Sequence, residues 1–142
     1  MLRHQAAGYF RRASGSYVTR KESEPNDQAL RPRAGGFVVI NLADETVKHR
    51  QTIHSNDRQA RSLVKDGPLN VLLMMLKAGA GLSERRTRGP ITVHVLSAAI
   101  RFLTGSQQVT LAAGGMLALD RDVAHSVTAL EDSSVVLTTA IA

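Results

Sequence analysis

The chain has no cysteine and no tryptophan, and aromatic residues make up only 4% of its 142 positions. Without thiols there is no disulfide, no thiolate metal ligand and no cysteine nucleophile, which suits a reducing, cytoplasmic setting. The scarcity of aromatics leaves Val, Leu, Ile, Met and Ala to fill the core and argues against an aromatic cage. Long apolar runs are missing too. The longest, residues 71–76, is far below the roughly 20 residues a bilayer-spanning helix needs, so no membrane segment is expected. Gly79 and Gly81 form no phosphate loop, because no Lys-Ser/Thr follows at the required spacing, and no nucleophile elbow is present.

A net charge of +6 is present, and its distribution matters more than its size. Residues 1–35 hold seven Lys/Arg against three Asp/Glu, whereas residues 36–142 hold eleven against nine. The second part is close to neutral, which gives a folded domain little pull on phosphates. No nucleic-acid partner is expected. Arg3, Arg11, Arg12 and Arg20, with Ser and Ala and no acid among the first twenty residues, have the composition of an organelle-targeting segment. Gly8 and the 13–16 stretch weaken the amphipathic helix that such a segment needs, so residues 1–36 are read as a disordered basic tail and linker.

The length suits one domain. Residues 37–55 are expected to form a short helix and a connection. Asn41 is a good N-cap, Asp44 and Glu45 suit the positive end of a helix, and Lys48, His49 and Arg50 suit its negative end, which predicts a helix over 42–50. Beyond it, eight β-rich runs (60–64, 69–76, 91–96, 100–103, 107–111, 116–119, 125–130 and 135–141) alternate with Gly, Asp, Ser and Pro turn segments. Short, evenly spaced strands of this kind predict an all-β antiparallel sandwich or barrel over 56–142.

One segment is more specific: Gly114 and Gly115, a short apolar strand, the polar turn Asp120-Arg121-Asp122, and then His125. Together with the stretch 89–102 and the turn Glu131-Asp132-Ser133, it resembles the cupin family, small jelly-roll barrels built of two antiparallel β-sheets. The resemblance implies that fold for 56–142, and a homodimer. It implies little about activity, since cupins include dioxygenases, isomerases, storage proteins and sensor domains.

Metal-binding cupins share a first motif of a glycine, two histidines one residue apart, a glutamate and a second glycine. Their second motif has a glycine, a proline, a glycine and a last histidine. In this chain Gly114 and His125 match the second motif, but Asp120 and Asp122 occupy its proline and second-glycine positions. The histidine positions of the first motif fall within Glu84-Arg85-Arg86-Thr87, its glutamate near Ile91 and its closing glycine at Ala98. Three of the four ligands that the resemblance would supply are therefore replaced. No cofactor is expected, and a weak divalent-metal site is the alternative, because His125 with Glu84 is fewer than the three ligands a catalytic metal takes and Arg85, Arg86 and Arg88 oppose a cation.

The expected site is thus a small-molecule site, with His125 in the barrel and Arg85, Arg86 and Glu84 at its mouth; guanidinium forks would favour an anionic ligand. A metal-dependent dioxygenase or isomerase with a rearranged site, and a structural module with a filled barrel, are the competing classes, and no catalytic residue is assigned. Strand alternation turns His94 away from Ile91, Val93 and Val95. His49 and His54 are expected to be solvated, Glu84 to Arg88 to form a charged loop, and the 71–76 run, apolar on both faces, to lie in a sheet pair or at a subunit interface.

Overall fold

The computed structural model describes residues 17–19, 29–50 and 56–141. The expectations for most of the basic tail and for His54 lie outside these residues. Eleven strands and one helix are described: β1 (Tyr17–Thr19), β2 (Phe37–Val39), α1 (Leu42–Arg50), β3 (Arg58–Asp66), β4 (Leu69–Leu76), β5 (Gly81–Arg85), β6 (Ile91–Ser97), β7 (Ala99–Thr104), β8 (Gln107–Ala112), β9 (Met116–Leu119), β10 (His125–Ala129) and β11 (Ser133–Ala140).

Two antiparallel sheets make the body. One has the order β5-β10-β7-β8 and the other β3-β4-β11-β6-β9, while β1 and β2 form a separate parallel pair. Neighbours in each large sheet are mostly distant in sequence, so consecutive strands cross from one sheet to the other. This is the jelly-roll arrangement.

Side-chain alternation divides the apolar residues between two layers. Met74, Leu76, Val93, Val95 and Val135 from the five-stranded sheet meet Ile100, Phe102, Val127 and Ala129 from the four-stranded sheet in the central core. Leu63, Leu73 and Val136 point the other way and pack with Ile40, Leu42, Val71 and Leu96. The 71–76 run is therefore apolar on both faces because both faces are covered within one chain. Each fully buried Leu or Val contributes about 1.5–3 kcal/mol relative to exposure.

The helix forms where the cap and charges place it. Asn41 Oδ1 accepts a hydrogen bond from the backbone N–H of Asp44 at 3.0 Å, which satisfies one of the first-turn donors. His49 departs from expectation: it is fully buried, not solvated, and lies 3.3 Å from the Glu45 carboxylate. The i,i+4 spacing sets both side chains on one face of α1, and α1 lies against β4.

Residues 29–36 also depart from a simple linker. The Leu30 N–H donates to Leu63 O at 2.8 Å, the Lys65 N–H donates to Leu30 O at 3.1 Å, and Arg31 pairs with Asp66 at 3.1 Å. The resulting parallel bridge between Leu30 and Val64 lies beside an irregularity in the β3–β4 register between Ser62 and Val64. A strand edge with free backbone groups is a template for extended chain, and Leu30 uses it.

Candidate functional site

His125 is the first residue of β10, and its side chain is buried, with 4% exposure. Its ring stacks on Phe102 of β7 with centroids 5.6 Å apart and planes 9° apart, inside the range for favourable aromatic pairs. Its Nδ1 lies 3.0 Å from Val123 O. A carbonyl oxygen only accepts, so Nδ1 carries the proton in this contact, and a neutral ring keeps Nε2 as an acceptor.

The strand opposite His125 is β5, a segment with no strand signal in the sequence. Ser83, Glu84 and Arg85 are all exposed, so the apolar alternation that marks a half-buried strand is absent, and charge at a sheet edge takes its place. In the β5–β10 register Arg85 is the partner of His125. This corrects the expected charged loop: Glu84 and Arg85 belong to a strand, and only Arg86 and Arg88 lie beyond it. Arg85 Nε donates to Ser83 O at 3.5 Å and Arg86 Nη1 donates to Asp122 O at 2.8 Å. Thus Arg85 is brought beside His125 along the backbone, while the Arg86 guanidinium is tied to the turn before it.

That turn and its counterpart explain two unusual residues. Ala98 has φ +63° and Asp122 has φ +60°, in the left-handed region where a side chain costs about 1–2 kcal/mol. Each is a position at which the resemblance to the cupin motifs implies the closing or second glycine of a motif. The backbone keeps the conformation that glycine would adopt freely although the residues have changed. Asp122 N–H also donates to Thr87 O at 2.7 Å, so the turn before β10 is sewn to the segment after β5.

On the other side of the barrel the two sheets part between their edge strands β8 and β9, leaving a cleft of about 540 Å³. Phe102 and Thr104 of β7, Gln107, Gln108 and Val109 of β8, and Leu117, Ala118 and Leu119 of β9 line it. Phe102 is itself buried, so it forms the base of the cleft while also touching His125. His125, Arg85, Arg86 and Glu84 are all outside this lining, and His125 adjoins it only through Phe102. The sequence reading overlooked the cleft walls as a site, since none carries a residue type associated with chemistry. Their signal is an absence: residues 102–119 contain no ionisable side chain.

No family model matches the chain, and no curated protein matches its sequence. Solved structures do match its fold. A cupin superfamily protein from Desulfitobacterium hafniense is similar with a TM-score of 0.60 at 16% identity, over 63% of this chain and 82% of the other. A cupin-2 domain protein from Shewanella frigidimarina is similar with a TM-score of 0.57 at 17% identity, over 70% and 92%. The chain has the cupin fold. A salicylate 1,2-dioxygenase variant from Pseudoaminobacter salicylatoxidans shares that fold with a TM-score of 0.56 at 16% identity, over 70% of this chain and 31% of the enzyme.

Within the cupin fold, the position of a metal is tested by its donors. His125 is held through Nδ1 to Val123 O and through its face to Phe102, which leaves Nε2 as a single imidazole donor. Ile91, near which the resemblance implies a glutamate, is buried in the apolar core, and Glu84 is exposed near the end of β5. Among the described residues no three His, Asp or Glu side chains gather into a group able to hold a metal ion. The donor set does not fit the three or more ligands of a catalytic site. Outward-facing His94 adds nothing: its cross-strand partners are Val136 and Met116, and Val136 belongs to the outer layer.

Proposed function

We propose that this cupin-fold chain binds a small organic molecule between its two sheets, without a complete metal site. The observation that carries the reading is the cleft between β8 and β9, whose base, Phe102, is stacked on the buried His125. Its volume of about 540 Å³ lies in the range of small-molecule sites, which are mostly apolar with a few placed polar groups. Phe102, Val109, Leu117 and Leu119 supply the apolar surface, and Thr104, Gln107 and Gln108 supply hydrogen-bonding groups.

The test is a fragment screen read by amide NMR shifts on the full chain. Hits should move the signals of residues 102–109 and 117–119, and Leu117→Trp, which fills the cleft from β9, should abolish them while the fold persists. Hits that leave both walls unmoved would remove the reading.

A further inference from the structure

Taking that binding reading as its basis, we infer that the ligand is an uncharged molecule with an apolar face and one edge bearing hydroxyl or amide groups. The walls of the cleft come from an unbroken stretch of chain, residues 102–119, without one ionisable side chain. A carboxylate, phosphate or ammonium entering between β8 and β9 would shed water and meet no opposite charge, a loss that a neutral group of the same size does not suffer.

The cations that would favour an anion are placed elsewhere. Arg86 donates to Asp122 O at 2.8 Å, and Arg85 stands on β5, the opposite edge of the four-stranded sheet from β8. Two strands, β10 and β7, separate them. The polar groups that do reach the cleft are of one chemical kind. The carboxamides of Gln107 and Gln108 and the hydroxyl of Thr104 each donate and accept, and so match hydroxyls and amides in either direction. Val109 and Leu117 face the remaining surface. The cleft is therefore selective by omission: its walls offer no counter-charge to an ion of either sign.

Three probes of nearly equal shape separate the possibilities: benzyl alcohol, benzoate and benzylammonium, titrated into the ¹⁵N-labelled full chain. Benzyl alcohol should shift the amides of Gln107, Gln108 and Leu117 along saturable curves, with both ions at least about tenfold weaker at those signals. The variant Gln107→Lys, at an exposed position beside the turn, should then shift the preference several-fold from benzyl alcohol toward benzoate. Benzoate binding the wild-type cleft as well as the alcohol, or shifting Arg85 and His125 instead, would overturn the neutral-ligand inference while sparing small-molecule binding. An unchanged charge preference in Gln107→Lys would overturn it too. Failure of all three probes to shift either wall would overturn the binding reading itself.

Discussion

Phe102 and His125 lie face to face, with ring centroids 5.6 Å apart and planes within 9° of parallel, although 22 residues separate them in sequence. The antiparallel register of β7 and β10, in which Val127 is paired with Phe102 and His125 with Thr104, makes the two rings diagonal neighbours. Truncating Phe102 to Ala should cost about 3–5 kcal/mol, because it removes a buried ring and leaves a cavity. His125→Phe keeps the stack and loses only the Nδ1 hydrogen bond, so its cost should be about 1 kcal/mol. Urea denaturation of the two variants checks the order; a larger loss for His125→Phe would mean that the hydrogen bond outweighs the ring packing.

The left-handed backbone at Ala98 predicts a stabilising substitution. Ala98→Gly should raise stability by about 0.5–1 kcal/mol, as relief of the +63° φ outweighs the greater freedom of the unfolded chain. Asp122→Gly should gain less, since Asp tolerates this region better than Ala. The shift in the denaturation midpoint measures both, and a loss of stability in Ala98→Gly would contradict the account.

Gly81 is constrained in the opposite sense. A Cβ there would sit 1.9 Å from the backbone oxygen of Val127, so Gly81→Ala should separate β5 from β10 and cost roughly 1–3 kcal/mol. Hydrogen exchange would show faster exchange of the Ala129 amide, which donates to Ala80 O at 2.8 Å, with the β4–β11 ladder less affected. Uniform loss of protection would mean that β5 is not a separable edge.

Metal loading tests the donor argument directly. Protein without an affinity tag, equilibrated with Fe(II), Mn(II), Ni(II) or Zn(II) and then desalted, should retain less than about one-tenth of an equivalent, because one imidazole and an exposed carboxylate are too few ligands. Stoichiometric retention by elemental analysis, lost in His125→Ala, would reverse the conclusion.

The helix prediction over 42–50 agrees with α1, and those over 69–76 and 116–119 agree with β4 and β9 to the residue. In these elements local signals and tertiary packing coincide: Asn41 caps α1, and β4 is apolar on both faces because two layers cover it. Strand β5 was illegible since Ser83, Glu84 and Arg85 are held by backbone pairing to β10 with their side chains exposed. Periodicity reports burial, not hydrogen bonding. The burial of His49 escaped for a related reason. Its i,i+4 relation to Glu45 was visible, but which face of a polar helix turns inward depends on where β4 lies. Of the residues singled out from the sequence, only His125 adjoins the cleft, through its stacking on Phe102. Its partner Phe102 and the neutral walls of the cleft are ordinary strand residues until two sheet edges are placed side by side.

The bridge made by Leu30 has a practical consequence for anyone shortening the chain. The paired glycines at 35 and 36 invite a cut just before β2, yet that cut would strip the edge of β3 of the groups that pair with Leu63 O and the Lys65 N–H. A bare edge of this kind recruits other chains. The shortest well-behaved fragment should therefore begin ahead of residue 30, and fragments starting at residue 37 should be the ones that precipitate.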